Sequence, residues 1–233
     1  MNDIRIVPVH RLDLRLEPQP WAWAEKNLAA AEAHFEKLRS ARPALWNGRV
    51  LLLHRHEVGG TTFRGGYLET DFASFLYWRD TGFPDRSIHN CFAMGALRAA
   101  DGAFLLGRMA GHTANAGKIY FPSGTPDPGD VRSDASVDLA GSVRRELLEE
   151  TGLISSEVTV GLQWTAVIAG ARIALMCPLL AREDAETLRA RIGVYLAGAV
   201  QPELADMVIV RSRADFSSAM PDFVRAYLEA VLA

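Results

Sequence analysis

Apolar and polar positions alternate from Ile4 to Leu16 with the two-residue period of a strand. The period then lengthens. In WAWAEKNLAAAEAHFEKLRSARP, Trp21, Leu28, Ala31 and Phe35 recur at helical spacing and Pro43 marks the stop, which predicts one amphipathic helix. Two β-rich stretches follow, Arg49 to Glu57 and Thr61 to Glu69, separated by Gly59-Gly60 as in a hairpin or meander. Asp71 stands at the N-cap position of a short helix carrying Phe72, Phe75, Leu76 and Trp78. From about Asn90 the pattern becomes two strands turned at Asp101-Gly102, then IYFPSG, a short strand running into a Pro/Gly loop. A helix from Leu139 to Thr151 comes next, with strands at Glu157 to Leu162, Thr165 to Ile168 and Arg172 to Leu180. A helix from Ala185 to Leu196, a strand at Met207 to Val210 and a helix after Pro221 complete the chain. Strands interleaved with a few helices predict a mixed α/β class. The break between Pro84 and His89 divides an N-terminal α/β extension, residues 1–88, from a second unit, residues 89–233.

A chain of 233 residues, at about 150 residues per domain, has room for one or two such units. Its 28 acids against 25 Lys and Arg give a net charge of −3 without a long run of either sign. That excludes a broad electrostatic footprint for nucleic acid or an anionic membrane and leaves small ligands as the expected partners. Cys91 and Cys177, far apart and each in a run that reads as a buried strand, can build neither a disulfide scaffold nor a four-ligand zinc site. The start mixes charged and apolar residues, and no apolar run approaches the ~20 residues of a spanning helix. A cytoplasmic location is therefore expected. The sequence is compatible with a homodimer.

The chemistry is concentrated in RRELLEETGL, Arg144 to Leu153, where Glu146, Glu149 and Glu150 sit three and four residues apart on neighbouring positions of one helix. Leu139, Val143 and Leu147 form its apolar stripe, and a helical projection puts Glu150 at the stripe's edge, turned toward protein. Clustered carboxylates repel, and desolvation makes them costlier unless a cation neutralises them. Oxygen ligands alone suit Mg²⁺ or Mn²⁺ better than zinc. Arg145, four residues before Glu149, has the fork to clamp one carboxylate. A solvated charged face closed by Gly152 as C-cap is the plainer alternative for the three acids by themselves.

The rest of the segment extends the pattern. Arg145, Glu146, Leu147, Glu149, Glu150, Gly152 and Leu153 match every fixed position in the second half of G-x5-E-x7-R-E-U-x-E-E-x-G-U, where U is aliphatic. The chain from about residue 90 to 215 thus resembles the Nudix hydrolases. The first half departs from the family pattern: Gly124 to Asp130 keeps the G-x5-E spacing with Asp for Glu, and fourteen residues rather than seven precede Arg145. An insertion, roughly Val131 to Val137, accounts for this, with Asp138 as N-cap and Asp130 or Asp138 taking the missing glutamate's place. Ser123 in FPSG stands where the family's strand ends in P-G-G. The resemblance implies an α/β/α sandwich, Mg²⁺ held by Glu146, Glu149 and Glu150 with the Gly124 carbonyl, and hydrolysis of a diphosphate linkage by water. Glu149, Glu150 and Arg145 would be catalytic, and Glu203 in QPELADM, with Asp206 as competitor, would complete the site from a later loop.

Arg108 and Lys118 flank the expected phosphate loop and suit phosphate oxygens, although basic residues on an exposed strand need no such role. His54 and His56 lack a third metal ligand in sequence reach, and Phe72, Phe75, Tyr77 and Trp78 read as core ahead of a base-stacking platform. For substrate, RVLLLHR and FRGGYLETDFASF ahead of a Nudix half resemble the UDP-sugar diphosphatase branch. LLGRMAG with AGKIYFPSGTPDPGD resembles, more loosely, the coenzyme A diphosphatase motif, and an ADP-ribose-type diphosphatase stands beside it. A nucleotide-binding module without catalysis is the reading from another class, and the intact glutamates argue against it.

Overall fold

The computed structural model describes residues 4–43 and 45–232. The continuous alternation from Ile4 to Leu16 resolves into two strands, β1 (Ile4–Val9) and β2 (Arg11–Leu16), that join different sheets. The break lies at His10, where the His10 and Arg11 N–H groups both donate to the Thr61 carbonyl, at 2.7 and 3.2 Å. Alternation specifies which face each residue takes and is blind to a change of partner.

β2, β4 (Thr62–Asp71) and β3 (Arg49–Gly59) make a three-stranded sheet in the order β2-β4-β3, with β2 parallel to β4 and β3 antiparallel to it. Helix α1 (Ala22–Ala41) buries Ala24, Ala31 and Phe35, so its stripe runs through Ala24 while the expected Leu28 faces solvent. It packs on α2 (Phe72–Asp80), which starts where Asp71 accepts the Ser74 N–H at 2.8 Å. Trp21, Phe35, Leu52, Leu68, Leu76 and Trp78 form the core between these elements.

The larger sheet runs β1-β9-β10-β5-β6-β11, from β9 (Trp164–Ala169), β10 (Arg172–Ala181), β5 (Asn90–Arg98), β6 (Phe104–Met109) and β11 (Leu204–Val210). Two short strands complete it: β7 (Ile119–Tyr120) on β6 and β8 (Val158–Val160) on β10. The parallel pair β10–β5 lies at its centre, and β5 is buried from Cys91 to Leu97 because both its faces are covered. On one face Gly95 of β5 lies against Val143 of α3 (Leu139–Thr151), with α4 (Ala185–Gly198) beside it. On the other, Phe92 meets Phe223 of α5 (Asp222–Val231) edge-on at 5.8 Å. The chain is thus mixed α/β, a sheet between helices, with β1 from its start built into the larger sheet. Cys91 and Cys177 are free and buried on β5 and β10. No helix among the described residues is long and apolar enough to cross a membrane.

Helix α3 ends as its sequence predicts, with Gly152 left-handed at φ 72° and its N–H donating to the Leu148 carbonyl at 2.8 Å. The Tyr195 ring of α4 lies against its Cα, so a side chain there meets both an unfavourable φ and the ring. Gly152→Ala is expected to lower unfolding free energy by about 1–3 kcal/mol, measured by urea denaturation; an unchanged midpoint would contradict the close packing of α4 on the helix end.

Candidate active site

The loop after β7 is clamped between the two sheets. Gly95 of β5 donates its N–H to the Pro122 carbonyl at 2.9 Å, and Leu51 of β3 donates to Pro126 at 2.7 Å. The loop closes in a short turn, Pro128–Asp130, whose aspartate is buried to 1% side-chain exposure. Arg145 of α3 reaches it with Nη1 2.6 Å from Oδ1 and Nη2 3.4 Å from Oδ2. The clamp expected on Glu149 therefore falls on Asp130, with Glu146 touched only at 3.5 Å. An exposed pair four residues apart on a helix is worth a few tenths of a kcal/mol, whereas a buried carboxylate without a partner costs several times more.

Asp138 caps α3 by accepting the Gly141 N–H at 2.9 Å. Between the two aspartates residues 131–137 fold back on themselves: Val131 bridges Val137, and the Asp138 N–H donates to the Asp130 carbonyl at 2.8 Å. It is stitched to β2 by Leu16 N–H to the Ala135 carbonyl and Val137 N–H to the Leu14 carbonyl, both at 2.9 Å. The segment therefore leaves and returns at one point, beside the start of α3.

On α3, Glu149 is exposed, Glu146 half-buried and Glu150 buried to 3% exposure, the inward turn the helical projection predicts. Neither Glu150 carboxylate oxygen has a hydrogen-bond partner among the described residues. Burial, then the charges of Glu146 and Glu203, hold its carboxyl well above the usual range, against a weaker downward pull from the nearby Ser123 backbone N–H. Glu146 is pushed up to about 7 by burial; Arg145 pulls it down, and Glu149 and Glu203 push it further up. Glu203, from the loop before β11, thus acts on the same cluster as the helix glutamates. Asp206 instead faces Arg108 at 3.8 Å and Arg189 at 3.9 Å.

Among the described residues no group of three or more His, Cys, Asp or Glu side chains is already drawn into a metal cage. The surroundings nevertheless fit a hard cation. Gly124 lies so close to the Glu146 carboxylate that a Cβ would collide with it, and Glu150 offers two oxygens without a well-formed hydrogen bond among the described residues. An all-oxygen donor set of this kind suits Mg²⁺ or Mn²⁺.

Ser123 and Gly124 also line a cavity of about 260 Å³ on the α5 face of the sheet. Lys118 lines it too, whereas Arg108 is absent from its wall and engaged with Asp206. Two further cations on the wall, Arg79 and Arg172, escaped sequence reasoning because α2 and the start of β10 are remote from the acidic helix in the chain. The aromatic cluster of α2 divides: Trp78 is core, Tyr77 stacks on Trp23, and Phe72 and Phe75 face the cavity. His54 and His56 do not share a ligand. The register slips between Leu53 and Arg55, His54 bonds Glu17 at 2.9 Å, and His56 packs on Phe63 and His89.

Two outcomes follow. Arg145→Met leaves Asp130 buried without its partner and should cost about 3 kcal/mol of stability, read by chemical denaturation; a loss below about 0.5 kcal/mol would contradict the pairing. Without metal, Glu146 binds its proton more tightly folded than unfolded. That contribution is complete below its ordinary value of 4.5 and is lost as pH rises through about 7. Stability should fall by on the order of 3 kcal/mol across that window, with Glu150 adding to the same slope. Melting curves in chelator measure it; Glu146→Gln should flatten them, and a rise in stability from pH 5 to 7 would refute the assignment.

No family model and no curated protein matches the chain. Solved structures similar to it include a Nudix hydrolase from M. Smegmatis, RenU, at 17% identity and a TM-score of 0.39, covering 61% of this chain and 83% of that one. The MutT protein from Methanosarcina mazei Go1 is similar at 18% identity and a TM-score of 0.37, covering 61% of this chain and 92% of that one.

Proposed function

We propose that the chain is a Nudix-type hydrolase cleaving a diphosphate linkage, with Mg²⁺ or Mn²⁺, in a nucleoside diphosphate joined to another moiety, a UDP-sugar being the first class to try. One observation carries the reading. On the helix that bears the R-E-U-x-E-E-x-G-U pattern, a buried carboxylate without a partner, Glu150, is grouped with Glu146, Glu149 and Glu203 beside a loop that also lines a cationic cavity.

Glu146, Glu149 and Glu150 would hold the ion, with the Gly124 carbonyl alongside. The ion, when bound, supplies neutralisation of the diphosphate oxygens and a more acidic water. The protein supplies the rest. Arg145, locked onto Asp130, keeps the loop and α3 in one relation, so the acids and the cavity wall stay in register. Lys118 pairs with phosphate oxygens from the cavity side, and Arg79, whose Nε is held by Asp80 at 2.7 Å, offers its remaining N–H groups beside it. Glu203, exposed and contributed from outside the helix, accepts the proton of the attacking water, with Glu150 as the competing base. Phe72, Phe75 and Arg79 give the 1–88 extension a part in seating the substrate.

The test is phosphatase-coupled product release from UDP-sugars, ADP-ribose, dinucleotides and coenzyme A, with and without Mg²⁺. Turnover that needs Mg²⁺ and falls at least about 100-fold in Glu149→Gln is the expected result. Absence of turnover on every compound, with nucleotides still raising the melting temperature, would replace the hydrolase by a nucleotide-binding module.

A further inference from the structure

Alternate residues of a strand face the same side of a sheet. Asn90, Phe92 and Met94 of β5 all line the cavity, so that face of β5 is its floor. One end of the floor is fixed by the loop that carries Gly124. Gly95, next to Met94, donates its N–H to the Pro122 carbonyl at 2.9 Å, and Ser123 and Gly124 follow on the wall. Tyr120 lines the same end. Burial pushes its phenol up, the Asn115 amide 3.0 Å away pulls it down, and the charges of Glu150, Glu203 and Arg79 all reach it. Lys118 stands just before it on the wall. The acids of the candidate metal site, Arg79 and Lys118 therefore converge on the loop end.

Arg172 stands at the other end. It is the register partner of Asn90 across the parallel pair of β5 and β10. From Asn90 to Met94, at ~3.3 Å per residue, the floor runs ~13 Å along the strand. The two phosphorus atoms of a diphosphate share one oxygen, so a diphosphate held at the loop end stops short of Arg172. The guanidinium carbon of Arg172 lies 5.6 Å from the Phe83 ring centre and 5.7 Å from that of Phe223, and it makes no ion pair among the described residues. Aromatic rings attract the cation but accept none of its five N–H groups as a carboxylate would. No Asp or Glu lines the cavity to do so. A half-buried guanidinium pinned over two rings with its fork unspent is suited to a planar or tetrahedral oxyanion of a ligand.

We infer that Arg172 is a specificity-determining residue that binds a second anionic group, a carboxylate or a phosphate monoester, on the moiety beyond the diphosphate. This rests on the reading that the diphosphate itself lies at the loop end, between the acids of α3 and Lys118. The substrate is then anionic at two separate places. A sugar acid or a phosphorylated ribose supplies the second charge, whereas a neutral sugar leaves Arg172 without a partner. Arg172 acts on affinity and choice of ligand, and the reacting atoms lie at the other end of the floor.

Equilibrium titration of the full chain tests this with two ligand pairs, each alike except for one anionic group: UDP-glucuronate against UDP-glucose, and NADP⁺ against NAD⁺. Ca²⁺ replaces Mg²⁺, its looser coordination serving to hold the diphosphate, and chromatography verifies that each ligand stays intact. In at least one pair the anionic member should bind at least about tenfold tighter, the first pair reporting a carboxylate and the second a phosphate. Arg172→Gln should bring the two members within about twofold, whereas Lys118→Gln should weaken them alike, with an unchanged melting temperature showing that the variants fold. Equal affinities within both pairs of the wild type, a preference that survives Arg172→Gln, or an equal loss of both members in that variant would overturn the anion site and leave the diphosphate site standing. Failure of the wild type to bind any of the four would overturn both.

Discussion

The ion pair between Asp130 and Arg145 is the constraint on which the candidate site depends. It joins the loop that follows β7 to the middle of α3, and the loop is already clamped to both sheets through Pro122 and Pro126. With those points fixed, Gly124 has no choice but to lie against Glu146, and the acids of α3 and the wall of the cavity share a boundary. The segment between Asp130 and Asp138 is closed in the same way: its two ends meet, and its residues form a small hairpin on β2.

Around that constraint the chain carries an electrostatic cost. Glu150 is buried with neither oxygen satisfied, Glu146 is pushed up to about 7, and Glu203 adds a third charge from another element. Packing alone would favour an apolar residue at Glu150. Groups so unfavourable in isolation are retained where a partner of opposite charge completes them, and a hard divalent cation is the partner that oxygen donors suit. The cavity has the opposite character, with Arg79, Arg172 and Lys118 and no acid on its wall. An anion bridging the two regions would meet cations on one side and, through a metal, on the other.

What was legible in the chain was local. Helix α3 declared itself by its apolar stripe, its Asp138 cap and its Gly152 stop, and the projection that turned Glu150 inward needed only the helical period. Features that depend on distant partners were hidden. The alternation from Ile4 to Leu16 has no mark at the point where one sheet hands over to the other. Sequence spacing points Arg145 to a carboxylate one turn away, whereas it pairs with Asp130, because burial of that aspartate outweighs helical proximity. Arg79 and Arg172 were missed for the same reason: the cavity is assembled from α2, β5, β10 and α5, and nothing near either arginine in sequence marks it.

The most direct measurement is Mn²⁺ binding by titration calorimetry near pH 7, repeated in buffers of different ionisation enthalpy, for the wild type and Glu150→Gln. Binding at the cluster must displace the proton that Glu146 partly holds at that pH, so heats should depend on buffer and report proton release. In Glu150→Gln the affinity should fall at least about tenfold, as expected when an ion loses one of its carboxylates. Mn²⁺ that binds without releasing a proton, or as tightly in Glu150→Gln as in the wild type, would contradict a cation site on this helix.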